Sequence, residues 1–187
     1  MDHYVDITLL PDPEFPATIL MNALFAKLHR GLADWGDRNI GVSFPEVASG
    51  KRTLGTRLRL HGSSGALEQL IGNGWTNGMR DHISIGRIAS VPGGASHRVV
   101  RRVQAKSNPE RLRRRLMARK AIGPEAARIA IPDSAAEMLT LPYVELTSRT
   151  TGQHFRLFIE HLPPQAEPTL GEFGAYGLSG DATVPWF

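Results

Sequence analysis

Residues 4–35, YVDITLLPDPEFPATILMNALFAKLHRGLADW, decide the fold that the sequence predicts. The opening seven residues, Tyr4–Leu10, alternate between apolar and polar side chains, which predicts a half-buried β-strand. Pro16–Trp35 is predicted as a helix, because leucines recur at every fourth residue and form one apolar face. The chain therefore begins with a strand that is followed by an amphipathic helix.

The same kinds of pattern continue towards residue 88. They predict strands over Ile40–Phe44 and Thr56–His61, a helix opened by Ser63 and Ser64, and a strand over His82–Ile88. The resulting order, β-α-β-β-α-β, is that of the ferredoxin-like folds, whose antiparallel sheet has both helices on one face. We therefore predict an α+β protein.

The Pro-Gly-Gly segment at residues 92–94 predicts a domain boundary. We expect a ferredoxin-like domain over residues 1–94 and a smaller α/β domain over residues 95–187. The arginine-rich helix of the second domain, within the basic stretch Arg101–Lys120, makes it the expected RNA-binding domain. The later elements predicted by pattern are helices over Pro124–Ala130 and Pro132–Leu139, strands over Tyr143–Ser148 and His154–Ile159, and a turn at Thr151-Gly152.

Basic residues are concentrated in Arg101–Lys120, RRVQAKSNPERLRRRLMARK. The chain of 187 residues has 22 Lys and Arg against 18 Asp and Glu, a net charge of +4. This stretch holds nine basic residues and one acid, so the rest of the chain is net −4. A basic patch on an acidic body attracts a polyanion, and the release of counterions from phosphate groups favours binding.

Within this stretch, Pro109 suits the first position of a helix, which an extended arm precedes. Four arginines share one face of that helix at 100° per residue: Arg111, Arg114, Arg115 and Arg119. Leu112 and Leu116 are expected to anchor the helix, while Arg113 and Lys120 are expected to point elsewhere. A solvated charged face is the ordinary explanation, but missing acidic partners favour nucleic-acid binding.

Composition excludes several classes of protein. The chain has no cysteine, which excludes disulfides, thiolate metal sites and a cysteine nucleophile. No run of about 18 apolar residues predicts a membrane span, and the amino terminus is unlike a signal peptide. Neither a P-loop, an HExxH motif nor a metal-ligand cluster occurs. We therefore expect a cytoplasmic protein that needs no cofactor or metal.

RNA offers a route to chemistry without a metal, because its own 2′-hydroxyl can attack the adjacent phosphate when a histidine transfers protons. His29 is the most suggestive of the seven histidines, since it lies late in the predicted helix beside its apolar face. An ordinary histidine at the core boundary is the alternative. Ser148, Tyr176 and Phe155 have equally ordinary explanations, as a strand-end serine, a buried tyrosine and a core phenylalanine.

Several segments together resemble the type I-F CRISPR repeat endoribonucleases. They are MDHYVDITLLPDPEFP at the start, Ile40–Pro45, Arg102–Met117, Ser148 with Thr151–Ile159, and Val184–Phe187. The resemblance covers the whole chain in one register. It implies an enzyme that binds a CRISPR repeat hairpin and cuts precursor transcripts at the base of the stem, without a metal.

The resemblance assigns a role to each candidate catalytic residue. His29 matches the catalytic histidine, Ser148 the serine that holds the attacking 2′-hydroxyl, and Tyr176 a tyrosine that orients the histidine. The implied products are a 2′,3′-cyclic phosphate, or a 3′-phosphate, and a 5′-hydroxyl. The implied partners are the repeat RNA, which stays bound as product, and the other subunits of a type I-F surveillance complex.

The resemblance also implies how the RNA is bound. Arg102 and Gln104 match the residues that recognise base edges near the foot of the stem, and Phe155 matches an aromatic that stacks beneath the last base pair. The predicted RNA-binding set is Arg102, Gln104, Lys106, Arg111, Arg114, Arg115, Arg119, Lys120, Thr150 and Phe155. Ala118 and Lys120 depart from an arginine and a histidine of the family pattern, and Thr150 from a serine. Two other hypotheses are a non-catalytic binder of structured RNA and a DNA-binding regulator.

Overall fold

The structure is a computed structural model that describes residues 1–47, 52–104, 109–132, 139–148 and 151–187. Its strands are β1 His3–Leu9, β2 Gly41–Ser43, β3 Arg57–Gly62, β4 Ile83–Ile85, β5 Ala89–Ser90, β6 Ser96–Val103, β7 Tyr143–Thr147, β8 His154–His161 and β9 Thr183–Trp186. Its helices are α1 Ala17–Trp35, α2 Ser64–Gly72, α3 Pro109–Lys120 and α4 Pro124–Ala130. None of these helices is long and apolar enough to cross a membrane.

Two antiparallel sheets and helices confirm the α+β class. In the first sheet the strands lie in the order β2-β3-β1-β4, with the short β5 also paired to β1. Val5 of β1 faces Leu60 of β3, and Ile7 faces Ile85 of β4. The first six elements follow one another as strand, helix, strand, strand, helix, strand. Their assignment to the ferredoxin-like folds stays a prediction.

The strand predicted over His82–Ile88 is shorter in the structure and is interrupted after Ile85. The backbone N–H of Gly86 donates to the carbonyl of Asp6 at 2.8 Å, and a Cβ at this glycine would lie 3.2 Å from that oxygen. Glycine inside a strand marks such a close approach of two backbones. The chain then pairs with β1 again only at Ala89 and Ser90.

The second sheet has the strand order β7-β8-β6-β9. Strands β7 and β8 form the predicted hairpin, with Leu146 facing Phe155. The turn includes Gly152 at φ +67°, a left-handed conformation that favours glycine. Strand β9 pairs antiparallel with β6. The predicted helix over Pro132–Leu139 lies mostly outside the described residues.

A continuous apolar core joins α1 to both sheets. The buried residues of α1 are Leu20, Met21, Leu24, Phe25, Leu28, Gly31 and Leu32. Val144 and Leu146 of β7 belong to the same core, as does Leu60 of β3. A hydrogen bond also joins the two elements: the side-chain oxygen of Asn22 in α1 accepts the backbone N–H of Glu145 in β7 at 3.0 Å. These contacts hold α1 against β7.

The chain forms two compact units, Met1–Arg102 with Leu141–Phe187, and Val103–Thr140. They do not follow the predicted boundary between residues 94 and 95, because apolar residues from both sides of that boundary share the core of the first unit. The assignment of RNA binding to residues 95–187 stays a prediction.

The second unit contains α3 and α4. Arg113, which was expected to lie on neither the arginine face nor the leucine face of α3, is buried, and its Nε donates to the carbonyl of Ile131 at 2.8 Å. Ile131 is the C-terminal cap of α4, where unpaired carbonyls and the helix dipole favour a cation. Leu112 and Leu116, the expected anchors, are half-buried.

Candidate active site

A cavity of about 320 Å³ lies in the first unit. Its lining residues are Ala26, His29, Arg30, Leu146, Thr147, Ser148, Phe155 and Tyr176. Four of them, His29, Ser148, Phe155 and Tyr176, are among the predicted site residues. The fold therefore brings together side chains that come from α1, from the end of β7, from β8 and from the C-terminal segment.

His29 is half-buried on α1, directly after the fully buried Leu28. Its Nδ1 lies 2.8 Å from the carbonyl oxygen of Ala175. A carbonyl only accepts hydrogen bonds, so Nδ1 carries the proton and donates it. Within the described part of the chain, Nε2 has no hydrogen-bond partner. Nε2 is therefore the nitrogen that can take up or release a proton.

The rings of Phe25, His29 and Tyr176 form a stack. The His29 and Tyr176 ring centroids are 4.0 Å apart at an interplanar angle of 15°. The other neighbour of Tyr176 is Phe25, with centroids 6.3 Å apart and ring planes 1° from parallel. Stacking fixes the plane of the imidazole, while the bond to Ala175 fixes its rotation within that plane.

The segment 174–178, which supplies Ala175 and Tyr176, is fixed on β2. Within the segment, the N–H of Gly177 donates to the carbonyl of Gly174 at 2.8 Å. The N–H of Val42 in β2 donates to the carbonyl of Gly177 at 2.9 Å. Gly177 has φ +67°, and a Cβ there would lie 2.2 Å from Cγ2 of Val42. Both the backbone conformation and the space therefore require glycine.

Ser148 is half-buried at the point where β7 ends. Its backbone N–H donates to the carbonyl of Gln153 at 2.8 Å, and its carbonyl accepts the N–H of Gly152 at 2.8 Å. The side-chain Oγ accepts the N–H of Thr151 at 3.3 Å. These bonds use the serine as an acceptor, so its hydroxyl proton can be donated to a ligand in the cavity.

Arg102 lies near the cavity, exposed at the end of β6. Its Cζ is 6.0 Å from the ring centroid of Phe155 and 6.0 Å from that of Tyr176. The guanidinium thus stands close to the faces of two cavity-lining aromatics, within cation–π range. The preceding Arg101 instead points to Glu160, with Nε 2.8 Å from Oε2.

The remaining predicted RNA-binding residues fall into two groups. Gln104 is exposed after β6, and the predicted residues that are exposed on α3 are Arg111, Arg114, Arg115, Arg119 and Lys120. Lys106 and Thr150 lie outside the described residues.

Sequence reasoning missed part of the cavity. Leu146 and Thr147 belong to a correctly predicted strand, and their position next to Ser148 was the available signal. Arg30 follows His29 directly but is off the apolar face of α1. Ala175 contributes its backbone carbonyl, so its side chain offered no signal at all.

Two histidines outside the cavity are held neutral by their surroundings. Burial, and then the charge of Arg59, lowers the pKa of His61 to about 3. Burial, and then the charge of Arg98, lowers the pKa of His161 to about 4. His61 Nε2 lies 2.8 Å from the Ser43 hydroxyl, so it is a structural residue of the interior. In the described ranges, no three His, Cys, Asp or Glu side chains are grouped to hold a metal ion.

Comparison with known proteins gives a family and two full-length relatives. The family model described as CRISPR-associated protein (Cas_Csy4) matches residues 4–187. A CRISPR-associated endonuclease Cas6/Csy4 of Pseudomonas aeruginosa (strain UCBPP-PA14) is 54% identical over 187 residues, which is 100% of both chains. A CRISPR-associated endonuclease Cas6/Csy4 of Escherichia coli (strain UTI89 / UPEC) is 46% identical over the same full length.

Proposed function

Since the chain belongs to the Cas_Csy4 family of CRISPR-associated proteins, we propose that it is an endoribonuclease of CRISPR RNA processing. It binds the repeat stem-loop and cleaves the precursor RNA at the base of the hairpin. The observation that carries this proposal is the shared cavity of His29 and Ser148, in which the Nδ1 proton of His29 is donated to Ala175 and Nε2 is left available.

The proposed reaction is an intramolecular transesterification at one phosphodiester bond of the RNA. The 2′-oxygen before the cut bonds to phosphorus, and the bond from phosphorus to the next 5′-oxygen breaks. The 2′-hydroxyl loses one proton and the leaving oxygen gains one, which gives a 2′,3′-cyclic phosphate and a 5′-hydroxyl. Addition of water to the cyclic product would give a 3′-phosphate. His29 Nε2 serves as the base or the acid, and Ser148 holds the 2′-hydroxyl.

Recognition is proposed to divide between the arm and the helix. Arg102 suits the O6 and N7 of guanine and Gln104 the N6 and N7 of adenine, through paired hydrogen bonds. Phe155 stacks beneath the stem and fixes the position of the scissile phosphate. The exposed arginines of α3 bind phosphates along the major groove, which in RNA is too deep and narrow for side chains to recognise bases.

The direct test is a repeat hairpin incubated with wild-type protein, His29→Ala and Ser148→Ala, each with EDTA present. We expect wild-type cleavage to continue and His29→Ala to lose about 10²–10⁴ of the rate while still binding the RNA. His3→Ala, a histidine that lines no part of this cavity, is the matched control and should cleave normally. Full cleavage by His29→Ala, or loss of wild-type cleavage in EDTA, would contradict the mechanism.

The same experiment separates the alternatives. Binding of the hairpin without any scission by wild type would support a non-catalytic binder of structured RNA. Preference for duplex DNA over the hairpin, in competition at fixed salt, would support a DNA-binding regulator.

We also propose that the protein keeps its product hairpin and assembles with the other subunits of a type I-F complex. The support is the family membership together with the exposed basic face of α3, whose phosphate contacts are the same before and after cleavage. Gel filtration of the cleaved RNA with the protein tests this, and free product would contradict it. We also propose a ferredoxin-like fold for residues 1–94, on the basis of the order of the first six elements.

A further inference from the structure

We propose that Arg30 is a further catalytic residue, whose guanidinium binds the non-bridging oxygens of the scissile phosphate and stabilises the charge that develops there during cleavage. This inference rests on the proposed endoribonuclease function. It assigns a third chemical task, next to proton transfer by His29 and the holding of the 2′-hydroxyl by Ser148.

Arg30 follows His29 in α1, its side chain is exposed, and it lines the same cavity as His29 and Ser148. Among the residues that the structure describes, the lining of that cavity includes no Asp or Glu. An anion that enters the cavity therefore meets the guanidinium without a competing carboxylate from those residues. The proposed substrate supplies one at the required place, in the phosphate that is cut.

The guanidinium of Arg30 forms no hydrogen bond and no ion pair with the residues that the structure describes. Asp34 lies four residues later on the same helix, at the spacing that favours an ion pair, yet the two do not form one. Neighbouring Lys27, in contrast, donates to the carbonyl of Asn77 at 2.6 Å.

The guanidinium also has space around it. Arg30 also borders a second cavity, of about 360 Å³, whose lining includes Asp34. An arginine between two cavities can turn towards a bound phosphate without displacing a packed side chain. The long flexible stem allows this, and the planar head offers two parallel N–H donors to two phosphate oxygens.

As the 2′-oxygen adds to phosphorus, the phosphoryl oxygens gain negative charge beyond the single charge of the ground state. His29 and Ser148 act on the attacking and leaving oxygens, which leaves that added charge without a donor. A charged hydrogen-bond donor that is already in place next to these oxygens stabilises the added charge. Removing one such donor typically costs about 10²–10³ in rate.

The experiment measures single-turnover cleavage of the repeat hairpin at saturating protein, for wild type, Arg30→Gln, Arg30→Lys and Lys27→Gln. We expect Arg30→Gln to lower the rate about 10²-fold and Arg30→Lys to recover part of it. Lys27→Gln removes the same charge one turn away on α1 and should cleave at the wild-type rate. Binding of a hairpin with a 2′-deoxy residue at the cut, which cannot react, should change less than about threefold in all variants.

A sulfur substitution in the RNA identifies the contact. Replacing one non-bridging oxygen of the scissile phosphate by sulfur should slow wild-type cleavage strongly and slow Arg30→Gln much less, because the variant has already lost the interaction. Equal sulfur effects in both proteins, equal losses in Arg30→Gln and Lys27→Gln, or a loss confined to affinity would overturn the inference. If wild type fails to cleave the hairpin at all, the proposed function itself is wrong; if it cleaves and Arg30→Gln is normal, only the role of Arg30 is wrong.

Discussion

Tyr176 contacts His29 through its aromatic ring, so the effect of the ring on cleavage can be measured separately from the effect of the hydroxyl group. The ring stacks on His29, whereas the hydroxyl forms no hydrogen bond with the described residues. We expect Tyr176→Phe to keep the cleavage rate within about threefold, because stacking persists. Tyr176→Ala frees the imidazole to tilt and should lower the rate by about tenfold or more. Single-turnover kinetics with both variants provide the measurement, and equal losses in the two would contradict a purely aromatic role.

Residues also differ in how far sequence could identify them. His29, Ser148, Phe155 and Tyr176 carry chemistry in their side chains and stand in segments that resemble a known family. Ala175 contributes only a carbonyl, and a carbonyl is common to every residue. Its role depends on where the folded backbone places this carbonyl, and neither composition nor periodicity predicts that position.

At the scale of one element, the segment 174–178 depends on Gly177. Gly177→Ala would impose left-handed strain and a contact with Val42, which together cost roughly 2–4 kcal/mol of unfolding free energy. It should also lower cleavage, because Ala175 and Tyr176 shift with the segment. Urea denaturation and single-turnover cleavage measure the two effects.

Gly180→Ala is the matched control for that substitution. No heavy atom lies within 4 Å of a Cβ added at Gly180, and its backbone is not left-handed. We expect stability within about 0.5 kcal/mol of wild type and unchanged cleavage. Equal effects at the two glycines would show that the segment tolerates a side chain at Gly177.

Helix α3 contains arginines in two different environments, one buried and one exposed. Arg113 is buried against the end of α4, so Arg113→Ala should destabilise the α3–α4 pair by about 1–3 kcal/mol. Arg114 is exposed, so Arg114→Ala should leave stability unchanged, weaken hairpin binding and reduce the salt dependence of log K by about one phosphate contact. Thermal unfolding and binding at several salt concentrations distinguish the two, and a reversed pattern would contradict the assignment.

Periodicity predicted most elements because burial on one face repeats along the chain. The leucine face of α1, the α4 bounds Pro124–Ala130 and the hairpin of β7 and β8 agree with the structure. Periodicity failed where a single contact decides. The strand predicted over His82–Ile88 is interrupted where the backbone of Gly86 approaches that of Asp6 closely, a contact that the alternating pattern does not show.

At the scale of the whole molecule, buried histidines make stability depend on pH. In the folded state the pKa of His61 is about 3 and that of His161 about 4, against about 6.5 when unfolded. Below pH 6.5 these two histidines become protonated in the unfolded chain but stay neutral in the folded chain, so the free energy of unfolding falls as pH falls. Between pH 7 and 5 each histidine costs about 2 kcal/mol, while above pH 7 neither contributes a slope.

Urea denaturation at pH 8, 7, 6 and 5 measures this dependence. His161→Gln keeps an acceptor for the N–H of Phe44, which donates to His161 Nε2 in the wild type, and it should remove about half of the loss between pH 7 and 5. A midpoint that stays constant from pH 7 to 5, or a variant with the full wild-type slope, would contradict the assignment.

The arrangement of the compact units could not be derived from the chain alone. The Pro-Gly-Gly segment at residues 92–94 suggested a boundary, but Val144 and Phe173 complete a core with Val5 and Leu24. Such contacts join residues far apart in sequence, and local patterns contain no information about which apolar faces meet.

The hydrogen bond between His29 and Ala175 also limits how early during protein synthesis the candidate site can form. Its two partners are 146 residues apart in sequence. At about 5–20 residues per second, a ribosome needs roughly 7–30 seconds to proceed from one to the other. During that interval the histidine exists without its tautomer fixed and without its stacking partner. The proposed nuclease therefore lacks a complete site until Ala175 and Tyr176 have been synthesised and have reached His29.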